Sequence, residues 1–239
     1  MIIMKKILSY MLILLLSAAV NAKAQDKVET SLGTDIVSQY VWRGQDLGSV
    51  SLQPALGVSY KGLSLDAWGS TGLSDPSDTK EFDLTLSYSA GGFNIGITDY
   101  WFNAGLDPLN RYFKYGACCT NHVFEATVGY DFGFASLQWY TNFAGNDAVN
   151  SDGRLAYSSY FEANIPFSLG GAEWTATAGA APFASDFYGV DGFALINLAL
   201  TAAKEIQVTD TFSIPVFAQV AANPYNGKAF FVFGITLQP

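Results

Sequence analysis

The sequence predicts an all-β chain that forms a single antiparallel up-and-down transmembrane β-barrel of about twelve strands. Apolar and polar residues alternate with a period of two through most of the chain after residue 25. Charged residues make up only 14% of the sequence, whereas hydrophobic residues make up 50% and aromatic residues 15%. A soluble domain carries about 25% charged residues. Lipid around the strands accounts for the scarce charge and the abundant aromatic residues together.

The first 24 residues read as a cleaved secretory signal peptide, followed by one barrel domain over 25–239. Lys5 and Lys6 form a positive start, residues 7–20 are almost wholly apolar, and the small residues around Lys23 fit a cleavage site after Ala24. The apolar run is too short for a transmembrane helix and no later run is longer. We therefore expect an exported protein.

Strand periodicity is clearest in the stretch EFDLTLSYS, where apolar side chains occupy positions 82, 84, 86 and 88 and polar ones lie between them. Similar segments predict strands near the following ranges: 28–41, 50–61, 62–71, 79–90, 92–103, 121–132, 133–143, 154–167, 171–181, 192–204, 210–221 and 229–238. Their connections alternate between short and long. This alternation is typical of Gram-negative outer-membrane barrels, which have short periplasmic turns and long extracellular loops.

Aromatic residues at the predicted strand ends form a candidate membrane-interface girdle. Its members are Tyr40, Trp42, Tyr60, Trp101, Tyr130 and Trp174. The competing fold is a secreted soluble β-sandwich, which also has many short alternating strands. Its outer face would carry mixed charges and edge lysines, whereas the polar face here holds mainly Ser, Thr, Asn and Gly. The membrane barrel is therefore the favoured interpretation, with outer-membrane lipid and the barrel-assembly machinery as its expected partners.

Residues 34–89 resemble the TorF-type porin family, a group of small Gram-negative outer-membrane proteins. The resemblance is carried by these elements: Tyr40, Val41, Trp42, Arg43 and Gly44; Pro54 and Ala55; Trp68, Gly69 and Ser70; and Glu81, Asp83 and Leu84. It implies an outer-membrane β-barrel that acts as a porin, without an established substrate and without catalytic residues. The chain departs from the usual aromatic ending of such barrels, because Pro239 is its last residue.

The polar faces predict an acidic lumen in which Arg43 is an inward cation. The candidate lumen charges are Arg43, Asp35, Asp66, Asp83, Glu125, Glu162 and Glu173. Carboxylates left free would attract cations and favour their passage, whereas carboxylates paired with arginine would only stiffen the barrel. Arg43 is expected to clamp Asp66 or Asp83. Large inward side chains such as Trp68, Tyr140, Tyr160 and Phe217 predict a narrow channel for small solutes or cations.

An enzymatic role is the weaker alternative. The single histidine, His122, lies three residues from Glu125, so the two side chains point to opposite faces of a strand. Cys118 and Cys119 are adjacent and cannot staple distant segments. No pattern indicates a metal or cofactor, and an excess of 21 acidic over 12 basic residues disfavours nucleic-acid binding.

A surface-binding role is the remaining alternative, since the longest predicted loop, 103–121, has an unusual composition. Its candidate contact residues are Arg111, Tyr112, Phe113, Lys114 and Tyr115. Exposed aromatic and basic side chains suit ligand contact. The same residues would also suit a loop that folds inward and constricts the pore, and the sequence alone leaves both possibilities open.

Overall fold

The computed structural model describes residues 27–75, 77–103, 111–116, 120–147, 154–210 and 212–239. The predicted signal peptide, Cys118, Cys119 and residues 104–110 of the long loop lie outside these ranges. The strands are β1 (Glu29–Val37), β2 (Tyr40–Trp42), β3 (Gln45–Gly48), β4 (Ser51–Tyr60), β5 (Leu63–Gly72), β6 (Glu81–Ala90), β7 (Phe93–Phe102), β8 (His122–Asp131), β9 (Ser136–Gly145), β10 (Ser159–Leu169), β11 (Ala172–Ala181), β12 (Ala194–Thr209), β13 (Phe212–Asn223) and β14 (Lys228–Leu237).

Twelve of these strands form one closed antiparallel barrel, which confirms the predicted fold class. From β4 to β14, each barrel strand pairs with the next one in sequence. β1 closes the ring by pairing with both β4 and β14. Closure matters in a membrane because hydrocarbon offers no partner to an unpaired backbone N–H or C=O group. Hydrogen bonding around a full ring leaves no exposed sheet edge.

The two rims of the barrel differ, as the connection lengths predict. The rim at the start of β1 and the end of β14 has tight turns. There the pairs Lys61–Gly62, Gly91–Gly92 and Gly170–Gly171 all have positive φ angles, as a type I′ hairpin turn requires. We call it the short-turn rim. The opposite, long-loop rim holds the connections after β1, β5, β7, β9, β11 and β13.

The outer wall is apolar. Leu56, Leu65, Leu86, Ile97 and Val128 point outward and are exposed, as lipid-facing residues are. None of the described residues forms a helix that is long and apolar enough to cross a membrane.

Two regions depart from the predicted boundaries. The first predicted strand ends at Val37 rather than at residue 41, because the chain then enters a separate two-stranded sheet, β2–β3. At the short-turn rim, β12 and β13 pair with each other as far as Thr209 and Phe212, whereas β12 pairs with β11 only as far as Ala203 and β13 pairs with β14 only from Val216 onward. This hairpin therefore projects beyond the rest of the rim.

Candidate functional site in the barrel lumen

The β2–β3 hairpin occupies the lumen at the long-loop rim and carries Arg43 at its tip. Trp42 pairs with Gln45, so Arg43 and Gly44 form a two-residue turn. Their φ angles are +50° and +72°, the combination that a type I′ turn requires. A Cβ atom on Gly44 would lie 1.9 Å from the carbonyl oxygen of Ile196. Glycine is therefore needed for both the turn and its contact with the wall.

Arg43 crosses the lumen and forms a salt bridge with Glu125 on the far wall. Its Nη1 donates to Glu125 Oε2 at 2.6 Å and its Nη2 donates to Glu125 Oε1 at 3.0 Å, so the salt bridge is bidentate. Glu125 is only 1% exposed. Arg43 points into the lumen, where it pairs with Glu125 rather than with Asp66 or Asp83 as predicted. The sequence shows which face a residue occupies but not how far a connecting segment reaches.

The connection between β11 and β12, residues 182–193, also folds into the lumen. Tyr188 is buried and accepts a hydrogen bond from Arg43 Nη1 at 2.7 Å. Burial outweighs the nearby Arg43 and raises the pKa of Tyr188, so this phenol stays neutral. Ser185 fixes the segment to the wall through a 2.8 Å hydrogen bond to Ser158. We call residues 38–50 and 182–193 together the plug.

Aromatic rings enclose the guanidinium group of Arg43. Its Cζ lies 4.0 Å from the ring centroid of Tyr140, 4.3 Å from that of Trp42 and 4.7 Å from that of Tyr160. Tyr100 completes the wall and donates to Glu125 Oε1 at 2.9 Å. Cation–π contacts strengthen when water is excluded, and Tyr160 is fully buried. The side chains around Arg43 that belong to the wall or to the second segment form the cage: Tyr100, Glu125, Tyr140, Tyr160 and Tyr188.

Tyr40 and Trp42 lie inside the barrel, so their assignment to the aromatic girdle is wrong. Tyr40 is 7% exposed and donates to Glu81 Oε2 at 2.7 Å. Trp42 packs against Tyr100 and Tyr188. The prediction ran the first strand to residue 41 and so placed Tyr40 and Trp42 at its outer end. In the structure the chain leaves that strand at Val37, and their side chains enter the lumen with the hairpin.

The other four girdle candidates lie on the outer wall. Tyr60, Tyr130 and Trp174 are near the short-turn rim, where Trp174 stacks on Phe167. Trp101 is near the long-loop rim but is only 9% exposed, because Tyr112 covers it.

The half of the lumen nearer the short-turn rim is polar and more open. Its inward residues include Thr85, Asn164 and Gln219, which are half-buried, whereas Tyr160 and Glu125 at the plug are sealed from solvent. Ion selectivity and water access would therefore be set by different halves of the barrel.

Three of the six predicted lumen carboxylates line this open half. Asp35 accepts a hydrogen bond from Thr236, Asp66 from Ser64, and Glu173 from Ser168. Glu162 accepts hydrogen bonds from Tyr160 and Asn164 at the boundary between the two halves. Between Arg43 and the short-turn rim, no lysine or arginine of the described strands points inward, as the strand registers show. Asp83 is different, because it lies with Glu81 beneath Tyr40 and is buried.

Residues 111–116 of the longest loop pack on the outside of the barrel rather than entering the pore. Tyr112 contacts Phe82, Trp101 and His122. Burial, together with the hydrogen bond and charge of Tyr115, raises the pKa of Tyr112 to about 12, so it is a neutral phenol. Phe113 is 87% exposed. Inward constriction by this described part of the loop is thus wrong, and its other candidate residues, Arg111, Lys114 and Tyr115, lie on the same outer segment.

His122 is enclosed beneath that segment. Its Nδ1 lies 2.7 Å from Asp99 Oδ1 and its Nε2 lies 2.6 Å from the carbonyl oxygen of Tyr112. The ring is fully buried, so neither nitrogen is available to a substrate. Within the described ranges, no group of three or more His, Cys, Asp or Glu side chains is placed to hold a metal ion.

Tyr100 and Tyr188 are the site residues that sequence reasoning missed. Tyr100 sits on the inward face of a correctly predicted strand, so strand parity could have placed it in the lumen. Tyr188 lies in a connection, where no periodicity indicates direction. Its position depends on tertiary packing against Tyr160 and Trp42.

No family model and no curated protein matches the chain. Among solved structures, similarity is found to the outer membrane protein OprD from Pseudomonas aeruginosa, with 12% identity, a TM-score of 0.35, and coverage of 90% of this chain and 65% of that one. OccK9 (OpdG) from Pseudomonas aeruginosa is 13% identical with a TM-score of 0.33, and the match covers 90% of this chain and 63% of that one. CdiB from Acinetobacter baumannii is 10% identical with a TM-score of 0.37, and the match covers 90% of this chain and 60% of that one. The chain spans less than two thirds of the length of each. The fold assignment rests on the strand pairing of the chain itself.

Proposed function

We propose that this protein is a narrow outer-membrane channel for small solutes or cations, closed at its outer end by the plug. A closed ring of strands with an apolar exterior suits a bilayer. By the rule for such barrels, the short-turn rim faces the periplasm and the plug faces the cell exterior. Outer-membrane lipid and the barrel-assembly machinery are its proposed partners, and the TorF-type porins its proposed family.

The observation that carries the proposed selectivity is the distribution of charge in the lumen. Arg43 is paired with Glu125, so it does not offset the carboxylates of the open half. Asp35, Asp66 and Glu173 line that half and accept hydrogen bonds from hydroxyl groups rather than from cations. Fixed negative charge in a narrow lumen raises the local concentration of cations.

Location is tested by outer-membrane fractionation and heat-modifiable gel migration. A membrane barrel should fractionate with the outer membrane and change its mobility on boiling, whereas a soluble sandwich should do neither. This experiment separates the proposed location from the proposed conduction.

Selectivity is tested by reversal potentials in planar bilayers under a potassium chloride gradient. We expect the reversal potential to have the sign that indicates cation selectivity. The same sign is expected for the rare openings of the wild type and for Glu125→Ala, which removes the carboxylate that pairs with Arg43. Anion preference in both proteins would contradict the acidic-lumen proposal.

A surface-binding function is the second candidate, because Phe113 is 87% exposed beside Arg111 and Lys114. Deleting residues 111–116 should abolish adhesion of bacteria to host or neighbouring cells if this candidate is right, and should leave conduction intact. A lipid-modifying activity that uses His122 is disfavoured by the burial of that ring.

A further inference from the structure

We propose that the cage is a binding site for guanidinium-bearing solutes, and that Arg43 is its tethered internal ligand. This inference rests on the proposed channel function and names the class of solute that the same site would recognise. The cage and Arg43 belong to different parts of the chain. The five cage residues lie on the barrel wall and in residues 182–193, whereas Arg43 lies at the tip of the separate β2–β3 hairpin.

The cage has the features that a guanidinium site needs. A planar guanidinium group requires a carboxylate that accepts two parallel N–H donors, and Glu125 does this at 2.6 and 3.0 Å. It also favours aromatic faces, which Tyr140 and Tyr160 supply. Tyr188 adds a neutral hydroxyl acceptor at 2.7 Å.

The hairpin that delivers Arg43 is separable from the wall. Strands β2 and β3 pair with each other and form no ladder with any barrel strand. Apart from the contacts of Arg43 and the ring packing of Tyr40 and Trp42, their links to the barrel are the Tyr40–Glu81 hydrogen bond, the Asn223 side chain on the Gly44 carbonyl, and one backbone bond from Thr79 to Leu47. Ser38 and Ser49 anchor the two flanks of the hairpin to Phe233 and Asp78. The hairpin can therefore withdraw without breaking the barrel's own hydrogen bonds.

Withdrawal of the hairpin leaves Glu125 without its cation, beside the rings of Tyr140 and Tyr160. A soluble guanidinium that enters from outside would restore both the salt bridge and the ring contacts. Tethering gives Arg43 an effective concentration of about millimolar or more. A free ligand therefore competes poorly in the wild type and binds well once Arg43 is removed.

Isothermal titration calorimetry of Arg43→Ala protein in detergent tests this directly. Methylguanidinium at millimolar concentrations should bind Arg43→Ala at least about tenfold more tightly than the wild type, because the tethered competitor is gone. Methylurea, which has a similar shape but no charge, should not bind. The double variant Arg43→Ala/Glu125→Gln should lose methylguanidinium binding.

A folded Arg43→Ala barrel that binds no methylguanidinium, or that binds methylurea equally well, would overturn the proposal. If Arg43→Ala does not fold, Gly44→Ala serves instead, because it displaces the hairpin tip and keeps every cage residue. It should bind methylguanidinium more tightly than the wild type, and equal affinity would overturn the proposal. Calorimetry does not depend on conduction, so an Arg43→Ala protein that inserts into bilayers without conducting but still binds methylguanidinium would contradict the channel function and leave the site standing.

Discussion

The two halves of the lumen are built from the same twelve strands but differ in the burial and polarity of their inward side chains. In the outer half, near the long-loop rim, the inward side chains are large and buried, and a charged pair is enclosed among rings. In the inner half, most inward side chains are polar, and the carboxylates bond to hydroxyl groups. The difference comes from the connections, because within the described residues the inserted segments all enter the outer half.

The contrast teaches that a barrel wall fixes the position of charge, while the loops decide whether that charge is available. Glu125 on β8 and Asp66 on β5 both lie on the inward face of their strand. Arg43 neutralises Glu125, whereas Asp66 accepts a hydrogen bond from the hydroxyl group of Ser64. Substitutions in the two halves should therefore give effects of different kind and size.

The largest effect is expected from Glu125→Ala. It leaves the buried Arg43 without a carboxylate, and breaking one side of such a pair costs about 3–5 kcal/mol. We expect the plug to detach rather than the barrel to unfold. Trypsin reports this, since it cleaves after Arg43 only when the hairpin is exposed, and the cleavage rate follows the open population.

Glu173→Ala is the matched control, because it removes an exposed carboxylate at the short-turn rim. It should leave cleavage after Arg43 unchanged. Replacing both partners, as in Arg43→Leu/Glu125→Leu, should recover most of the plug's stability, measured by urea-dependent unfolding. Equal cleavage of Glu125→Ala and wild type would show that the salt bridge does not hold the plug.

A smaller effect is expected from Gly44→Ala, which adds a methyl group against the Ile196 carbonyl at a residue with φ of +72°. Strain and overlap together should cost about 2–3 kcal/mol. Tryptic cleavage after Arg43 should rise. Gly133→Ala is the control for backbone strain elsewhere in the barrel, because Gly133 has φ of +84° but no atom within 4 Å of the added methyl group, and it should leave cleavage after Arg43 unchanged. A Gly44→Ala protein that trypsin cleaves no faster than the wild type would show that the fit of the turn against Ile196 does not hold the plug.

Tyr40→Phe should loosen the plug by about 1–2 kcal/mol, since it removes the hydroxyl that donates to buried Glu81. Tyr130→Phe, on the exposed outer wall, is the comparison and should have no effect on cleavage. A Tyr40→Phe protein as resistant to trypsin as the wild type would place the holding force elsewhere in the hairpin.

The smallest effect is expected in the inner half, where Asp66→Asn should reduce cation preference by about twofold. The reversal potential should move toward zero and cleavage after Arg43 should stay unchanged. Val58→Thr on the outer wall is a polar substitution outside the lumen and should alter neither quantity. An increase in tryptic cleavage for Asp66→Asn would mean that the two halves are coupled.

The barrel could be predicted from the sequence because strand alternation and connection length are local properties. Twelve barrel strands, the two rims and the inward faces of Trp68, Tyr140, Tyr160 and Phe217 all follow from period-two parity. Such parity needs no knowledge of distant contacts.

The plug could not be predicted, because its contacts join residues far apart in sequence. Arg43 and Glu125 are separated by 82 positions, and Arg43 and Tyr188 by 145. The turn signal at Arg43–Gly44 was visible, but an outward loop and an inward hairpin use the same turn chemistry. Only the packing of Trp42 and Tyr188 distinguishes them.

Single-channel recording of the wild type beside Glu125→Ala tests the central claim, that the paired Arg43 closes the outer half of the lumen. The wild type should be closed for most of the record, and Glu125→Ala should be open for at least about ten times longer, since each 1.4 kcal/mol is a tenfold change. Equal open times in two proteins that both insert would contradict the claim. So would a silent Glu125→Ala protein that trypsin cleaves after Arg43, because its plug would have moved without opening a path.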